Sequence, residues 1–280
     1  MFLKAKDLMT VGNILGGTAC ALVAMEGMAR VAAAPLEARH EVASMWVFWS
    51  AMMMLVAFFF DVFDGVVALA LKQVNKFGGE FDSVADLVAY SVAPTFLLFL
   101  AYRHLAELPG IPDDSPWKTL IAGFVAVIPT VFGSIRFARF NVRKLEVDGF
   151  WIGFPRPASG LMMVALVNSE LFRFPFMAWV GLVLVVVLGF MNLSLKPWIG
   201  HHGRRFTWYL GSILHVVWMT VVFSLLGGVV LGWFGIRFLP PQLVFDWILI
   251  WMSCYLLFQW ADVPKAARMA VRKLTAEWND

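Results

Sequence analysis

Charge is scarce in this chain. Only 15% of its 280 residues are Asp, Glu, Lys or Arg, while 61% are hydrophobic. A soluble domain is nearer a quarter charged and half apolar, so an ordinary water-facing globule is excluded. Cysteine is scarcer still. Cys20 and Cys254 both sit in apolar runs, which leaves no disulfide framework and no metal-ligand spacing; they read as two small hydrophobes. The net charge of +3 is too small to argue for a nucleic-acid partner. Internal repeats and low-complexity tracts are missing. So is a small-residue cleavage site after the apolar stretch that follows Lys4 and Lys6, and that stretch is therefore expected to be a membrane span, not a removed signal.

What the chain has in abundance is apolar length. With 26 Phe and 13 Trp, its surface is expected to face lipid. A span needs about 20 mostly apolar residues, and eight are expected: 11–29, 44–71, 83–101, 119–140, 157–172, 176–194, 207–233 and 242–262. Of the 22 Lys and Arg, Arg30, Arg39, Arg103, Lys118, Arg173 and Arg237 fall on one side and all the others on the opposite side. The cation-rich side should be cytoplasmic, so both termini are expected there. Trp46, Trp117, Trp198, Trp208, Trp233 and Trp260 lie near span ends, where aromatic anchors belong. The loop Pro109–Trp117, with Asp113 and Asp114, reads as a solvated connector. From Pro264 on, the tail reads as a basic amphipathic helix whose Arg268, Arg272 and Lys273 either attract anionic head groups or are simply solvated. His201 and His202, beside Arg204 and Arg205, read as part of a basic loop, and His215 as a packed residue.

Against this apolar background the acids stand out. Ionisable groups within a span are costly and tend to be functional. Asp61 and Asp64 lie in the second span; Asp82 and Asp86 open the third. Asp61, Asp64, Gly65 and Ala68 recur at three- and four-residue steps and share one helix face. Gly78, Asp82 and Asp86 are spaced by four and share another. A short connection makes the two helices antiparallel neighbours, so the four carboxylates can converge. Mutually repelling carboxylates imply a hard divalent cation, Mg²⁺ or Mn²⁺, held by oxygen, which would in turn hold a diphosphate. Gly65, Ala68 and Gly78 clear side-chain bulk beside the acids. A seam of small residues is also a common packing device between membrane helices, but packing alone does not explain buried Asp.

These residues resemble the CDP-alcohol phosphotransferase signature: two Asp three apart, Gly, two residues, Ala-Arg, eight residues, Gly, three residues, Asp, three residues, Asp. Asp61, Asp64, Gly65, Ala68, Gly78, Asp82 and Asp86 match in type and spacing; the signature Arg is Leu69 here. The stretch from Asp82 to Pro94 and the run Arg136-Phe137-Ala138-Arg139-Phe140-Asn141-Val142 resemble the phosphatidylserine synthase branch, and Gly153 to Ala158 does so more weakly. The resemblance implies an all-α integral membrane protein with a six-helix core, here over residues 1–195; the remaining two expected spans make two additional transmembrane helices within 196–262, and 263–280 reads as a basic cytoplasmic tail. It implies transfer of a phosphatidyl group from CDP-diacylglycerol to an alcohol, with serine the expected acceptor and choline, glycerol phosphate or inositol phosphate the alternatives, in the inner membrane and in many relatives as a homodimer. By position, Asp61, Asp64 and Asp82 would bind metal, Asp86 would bind metal or act as general base, and Gly65, Ala68 and Gly78 would border the nucleotide. Lys72, one turn beyond Leu69, is expected to meet the phosphate in place of the missing Arg. An inactive relative is the alternative that Leu69 raises. Arg136 and Arg139, three apart on one face, either snorkel to lipid phosphate or clamp an anion; the resemblance favours the clamp.

Overall fold

The computed structural model describes residues 7–71, 76–142, 147, 149–199, 243–258 and 263–276. The chain is an all-α membrane protein apart from one small ribbon. Its elements are α1 (Asp7–Ala33), α2 (Arg39–Leu71), α3 (Lys76–Leu87), a π turn (Val88–Val92), α4 (Ala93–His104), α5 (Pro116–Val142), β1 (Phe150–Ile152), α6 (Arg156–Asn168), α7 (Met177–Leu193), β2 (Pro197–Ile199), α8 (Leu243–Phe258) and α9 (Lys265–Ala276). Four helical stretches among the described residues are long and apolar enough to cross a bilayer: Asp7–Ala33, Leu36–Asp64, Phe77–His104 and Pro116–Val142; α7 and α8 are shorter apolar helices. The expected seventh span, 207–233, lies outside the described residues, as do His201, His202, Arg204, Arg205 and His215.

The fifth expected span differs in kind. Helix α6 ends at Asn168, and a short 3-10 turn, Glu170–Arg173, follows. The chain leaves the helical region at Ser169, which is extended at φ −72° and ψ 147°; Pro175 limits the turn that follows, because the residue before a proline is pushed out of the helical region, and Phe174 is extended, at φ −77° and ψ 138°. At 1.5 Å per residue the 13 residues of α6 reach roughly 20 Å, short of a bilayer core of about 30 Å. Every residue from Ser159 to Asn168 is buried. Helix α6 is thus the central post of the bundle, packed on by α2, α4, α7 and α8. The lipid-facing apolar surface is carried by others, for example Leu15 and Leu22 on α1, Phe124 and Val131 on α5, and Val183 and Phe190 on α7.

Between such helices lipid supplies no solvent-driven attraction, so close approach and dispersion must hold the pairs. Helix α1 shows this best. A Cβ at Gly16 would lie 2.6 Å from the Ala57 backbone nitrogen, and one at Gly17 2.6 Å from the Ala89 Cα. Two backbones meet α1 where it has no side chain, so α1 is wedged against α2 and the π turn together.

The π turn has a local cause. Pro94 sits in the middle of the helical run from Lys76 to His104. It has no N–H, and its ring would strike the carbonyl of Tyr90 in a regular α-helix. Widening one turn relieves that clash. The Ser91 carbonyl accepts from the hydroxyls of Thr130 (3.1 Å) and Thr95 (3.3 Å).

After the sixth helical stretch the chain closes one end of the bundle. β1 and β2 pair antiparallel, with Trp151 opposite Trp198. The apolar side of α9 and Val263 just before it rest on this ribbon, with Val271 against Ile152, and Val263 and Ala267 against Ile199. Helix α8 is tied at both ends. The Asp246 carboxylate accepts from the Ser169 hydroxyl and from the Glu170 N–H. The Tyr255 hydroxyl donates to the Ile199 carbonyl at 2.7 Å, and its ring lies against Phe154 and Trp198.

Candidate functional site

Antiparallel packing of α1 on α2 sets the first half of the site. In the register fixed by Gly16 and Ala57, Asn13 falls opposite Asp61 and Thr10 opposite Asp64. Asn13 Nδ2 donates to Asp61 Oδ1 at 3.3 Å, and the Thr10 hydroxyl donates to Asp64 Oδ2. Both polar α1 side chains are fully buried.

The π turn sets the second half. Helix α3 presents Asp82 and Asp86 on one face, and the wide turn that follows aims Tyr90 back at α2. Its hydroxyl donates to Asp61 Oδ2 at 3.1 Å. Both Asp61 oxygens thus accept a hydrogen bond, which fixes the carboxylate's rotation.

Asp61, Asp82 and Asp86 come together. One carboxylate oxygen from each lies within 4.8 Å of the other two. At that separation two full charges repel by roughly 3–4 kcal/mol at an effective dielectric constant of about 20. Asp86 Oδ1 is buried with no hydrogen-bond partner among the described residues. Three converging oxygens and an orphaned buried carboxylate oxygen fit a hard divalent cation, the group that oxygen donors of this kind select. Asp64 is buried on the same helix face but is not one of these three.

The expected cations divide. Arg136 Nη1 donates to the Asn192 carbonyl and Arg139 Nη1 to the Leu193 carbonyl, each at 2.6 Å. The two therefore satisfy carbonyls that the C-terminus of α7 leaves open, where positive charge is favoured. Each still has further donors on a fork of five N–H groups. Gly153 makes room for this: with φ at +78°, a Cβ there would lie 2.5 Å from both Arg136 Nη1 and the Asn192 oxygen. Arg136 also lies within Coulombic range of Asp86 and Arg156. Gly78 is buried on α3, one turn before Asp82, while on α2 Gly65 directly follows Asp64 and Ala68 and Leu69 lie about one turn further on. Lys72 lies outside the described residues.

Sequence reasoning did not single out Asn13, Thr10, Tyr90, Ser83 or Arg156. Asn13 and Thr10 carried a usable signal as polar side chains inside an apolar span. Tyr90 and Ser83 lie within the 82–94 stretch, beside more conspicuous acids, and Arg156 lies within the more weakly similar 153–158 stretch.

Residues 5–191 match the family model described as CDP-alcohol phosphatidyltransferase. A Methanocaldococcus jannaschii protein named CDP-diacylglycerol–serine O-phosphatidyltransferase is 33% identical over 138 residues, covering 48% of this chain and 56% of its own. A protein of the same name from Helicobacter pylori strain 26695 is 31% identical over 150 residues, or 49% and 58%. One from Bacillus subtilis is 28% identical over 159 residues, or 57% and 72%. The chain spans little more than half the length of the first two.

Proposed function

The chain belongs to the CDP-alcohol phosphatidyltransferase family, and on that premise we propose that it transfers a phosphatidyl group from CDP-diacylglycerol to the hydroxyl of serine, releasing CMP. The observation that carries this reading is the meeting of Asp61, Asp82 and Asp86 at the spacing of the family signature. The names of the relatives support serine as the acceptor.

Asp61, Asp82 and Asp86 would hold the divalent cation, Mg²⁺ or Mn²⁺, with Asp64 the fourth candidate on the same face of α2. When bound, the cation supplies neutralising charge to the diphosphate and to the departing nucleotide phosphate. The chain's own residues do the rest. Asn13 and Tyr90 hold Asp61 in one rotation. Asp86 takes the proton of the acceptor hydroxyl, since an alcohol is a poor nucleophile at neutral pH without a positioned base. The hydroxyl oxygen bonds to the lipid-bearing phosphorus, the bond from that phosphorus to the bridging oxygen breaks, and CMP leaves with the bonding pair. Gly65, Ala68 and Gly78 border the nucleotide, and Lys72 meets its phosphate. Arg136 and Arg139, anchored on α7, favour an anionic ligand with their remaining donors; a serine carboxylate suits them better than a choline cation does. The same reading places the site at the cytoplasmic side of the inner membrane, both termini in the cytoplasm, and two copies in a homodimer.

The test is CMP release by purified protein from CDP-diacylglycerol and Mn²⁺ or Mg²⁺, with serine, choline, glycerol 3-phosphate and inositol phosphate each offered alone. Release with serine is expected to exceed the others by at least tenfold. Release with glycerol 3-phosphate alone would reassign the acceptor, and silence with every alcohol would sink the reading.

A further inference from the structure

Resting on the function just proposed, we infer that Arg156 is a positioning residue for Asp86: its guanidinium grips the turn of α3 that carries Asp82 and Asp86 and holds one Asp86 oxygen turned into the carboxylate group. Arg156 is the first residue of α6, flanked by Pro155 and Pro157, whose fixed φ angles restrict the backbone there. Its Nη1 donates to the Ser83 carbonyl and its Nη2 to Ser83 Oγ, both at 3.1 Å. The same Nη2 stands 3.6 Å from Asp86 Oδ2, and the two side chains are only 10% and 17% exposed.

Ser83 directly follows Asp82 in sequence, so a grip on its backbone carbonyl and its hydroxyl fixes the stretch of helix between the two acids. One Asp86 oxygen faces the guanidinium. The other, Oδ1, is buried with no hydrogen-bond partner among the described residues. A guanidinium is planar and presents its donors in a rigid fork. Three contacts from one such plane set an orientation that the single point charge of a lysine would not. The grip crosses from α6 to α3, so it also ties the central post of the bundle to the helix that bears half of the acids.

The prediction separates geometry from charge. Arg156→Lys keeps the charge and loses the fork; Arg156→Gln loses both. In detergent-purified full-length protein, Arg156→Lys should weaken Mn²⁺ binding, read by electron paramagnetic resonance without turnover, by roughly tenfold, as loss of an outer-shell partner typically does. With CDP-diacylglycerol and serine, kcat should fall at least tenfold in both variants, while KM for each substrate stays within threefold. Ser83→Ala should act in the same direction, and adding it to Arg156→Gln should cost nothing further. A lysine variant equal to wild type in Mn²⁺ binding and kcat would overturn the inference. So would a rise in the CDP-diacylglycerol KM, which would mean that Arg156 touches the diphosphate. A rise in the serine KM that a neutral alcohol does not share would mean that it touches the acceptor. Unchanged kcat with a lowered unfolding temperature would leave it a packing contact and overturn it as well. A wild type that releases no CMP sinks the proposed function, and the Mn²⁺ series still decides the grip.

Discussion

Replacing Tyr90 with Phe removes one oxygen and almost nothing else. The ring is 1% exposed, and Phe keeps the same ring in the same packing, so little else changes. What goes is the donor 3.1 Å from Asp61 Oδ2. Asp61 keeps the bond from Asn13 on its other oxygen, but a carboxylate held at one oxygen can turn about its last torsion, and the oxygen aimed at the group of three acids is no longer set. A hydrogen bond to a charged group is worth about 1.5–3 kcal/mol. At about 1.4 kcal/mol per factor of ten, that is a loss of roughly ten- to a hundredfold in whatever depends on the placement of Asp61. The range agrees with the 10–100-fold typical of losing an outer-shell partner of a metal ligand. The assay is the initial rate of CMP release against Mn²⁺ concentration. The half-saturating Mn²⁺ concentration should rise at least tenfold while the serine KM stays within threefold. A Tyr90→Phe protein whose Mn²⁺ curve overlays that of wild type would refute the reasoning, because a buried donor to a ligand carboxylate could then be removed at no cost.

Chelation should abolish CMP release, and Mn²⁺ or Mg²⁺ should restore it; release that persists after exhaustive chelation would end the metal-based mechanism. Asp86→Asn should lower turnover at least a hundredfold while CDP-lipid binding stays measurable, whereas Asp61→Asn should weaken metal and nucleotide binding together; near-normal turnover in both would dismiss the site. Lys72→Ala should reduce catalytic efficiency ten- to a hundredfold if Lys72 has taken over from the Arg that Leu69 replaces, since a charge-assisted contact of about 1.5–3 kcal/mol is lost; a silent wild type awakened by Leu69→Arg would show instead that the chain is a degenerate relative. Gly153→Ala should dislodge Arg136 from the Asn192 carbonyl and cost at least 2 kcal/mol, from a left-handed backbone penalty of about 1–2 kcal/mol plus the clash; an unfolding midpoint unchanged by the substitution would contradict that geometry.

The acids were readable because their grouping is local. Three- and four-residue steps fix a helix face, and a short connection fixes two helices as neighbours, so Asp61, Asp82 and Asp86 could be brought together from spacing alone. The residues that orient them were not readable in this way. Thr10 reaches Asp64 across 54 positions, Asn13 reaches Asp61 across 48, and Arg156 reaches Ser83 across 73; no periodicity encodes a contact of that kind. Arg136 and Arg139 were visible as cations in a span, but not their hold on the end of α7, which depends on a glycine at 153 and on the return of the chain after α7. The expected fifth span, 157–172, corresponds to α6 and the 3-10 turn after it, but its place at the centre of the bundle was not readable. An apolar run measures burial as readily as lipid contact, and α6 is buried by protein on every side. Pro94 and Pro175 were in plain view, yet one widens a helix and the other closes a 3-10 turn, and only the neighbouring structure decides between those outcomes.

The turn at Val88–Val92 has a consequence for how the faces of this helix are counted. Each residue of an α-helix advances the side-chain direction by about 100°, and the wide turn holds one residue more than a regular turn would. Everything after it is therefore rotated by about one residue's step relative to an uninterrupted helix through Lys76. Leu97, Leu100 and Ala101, all fully buried, face inward on the rotated count, while Asp82 and Asp86 face the site on the original one. The helix runs in two frames joined at Tyr90. A one-residue deletion in this turn would force the frames to coincide, and either the acids or the aliphatic stripe of α4 would swing away from its partners. The acids and the membrane-buried packing of α4 can each be placed correctly only because a single residue of slack separates them.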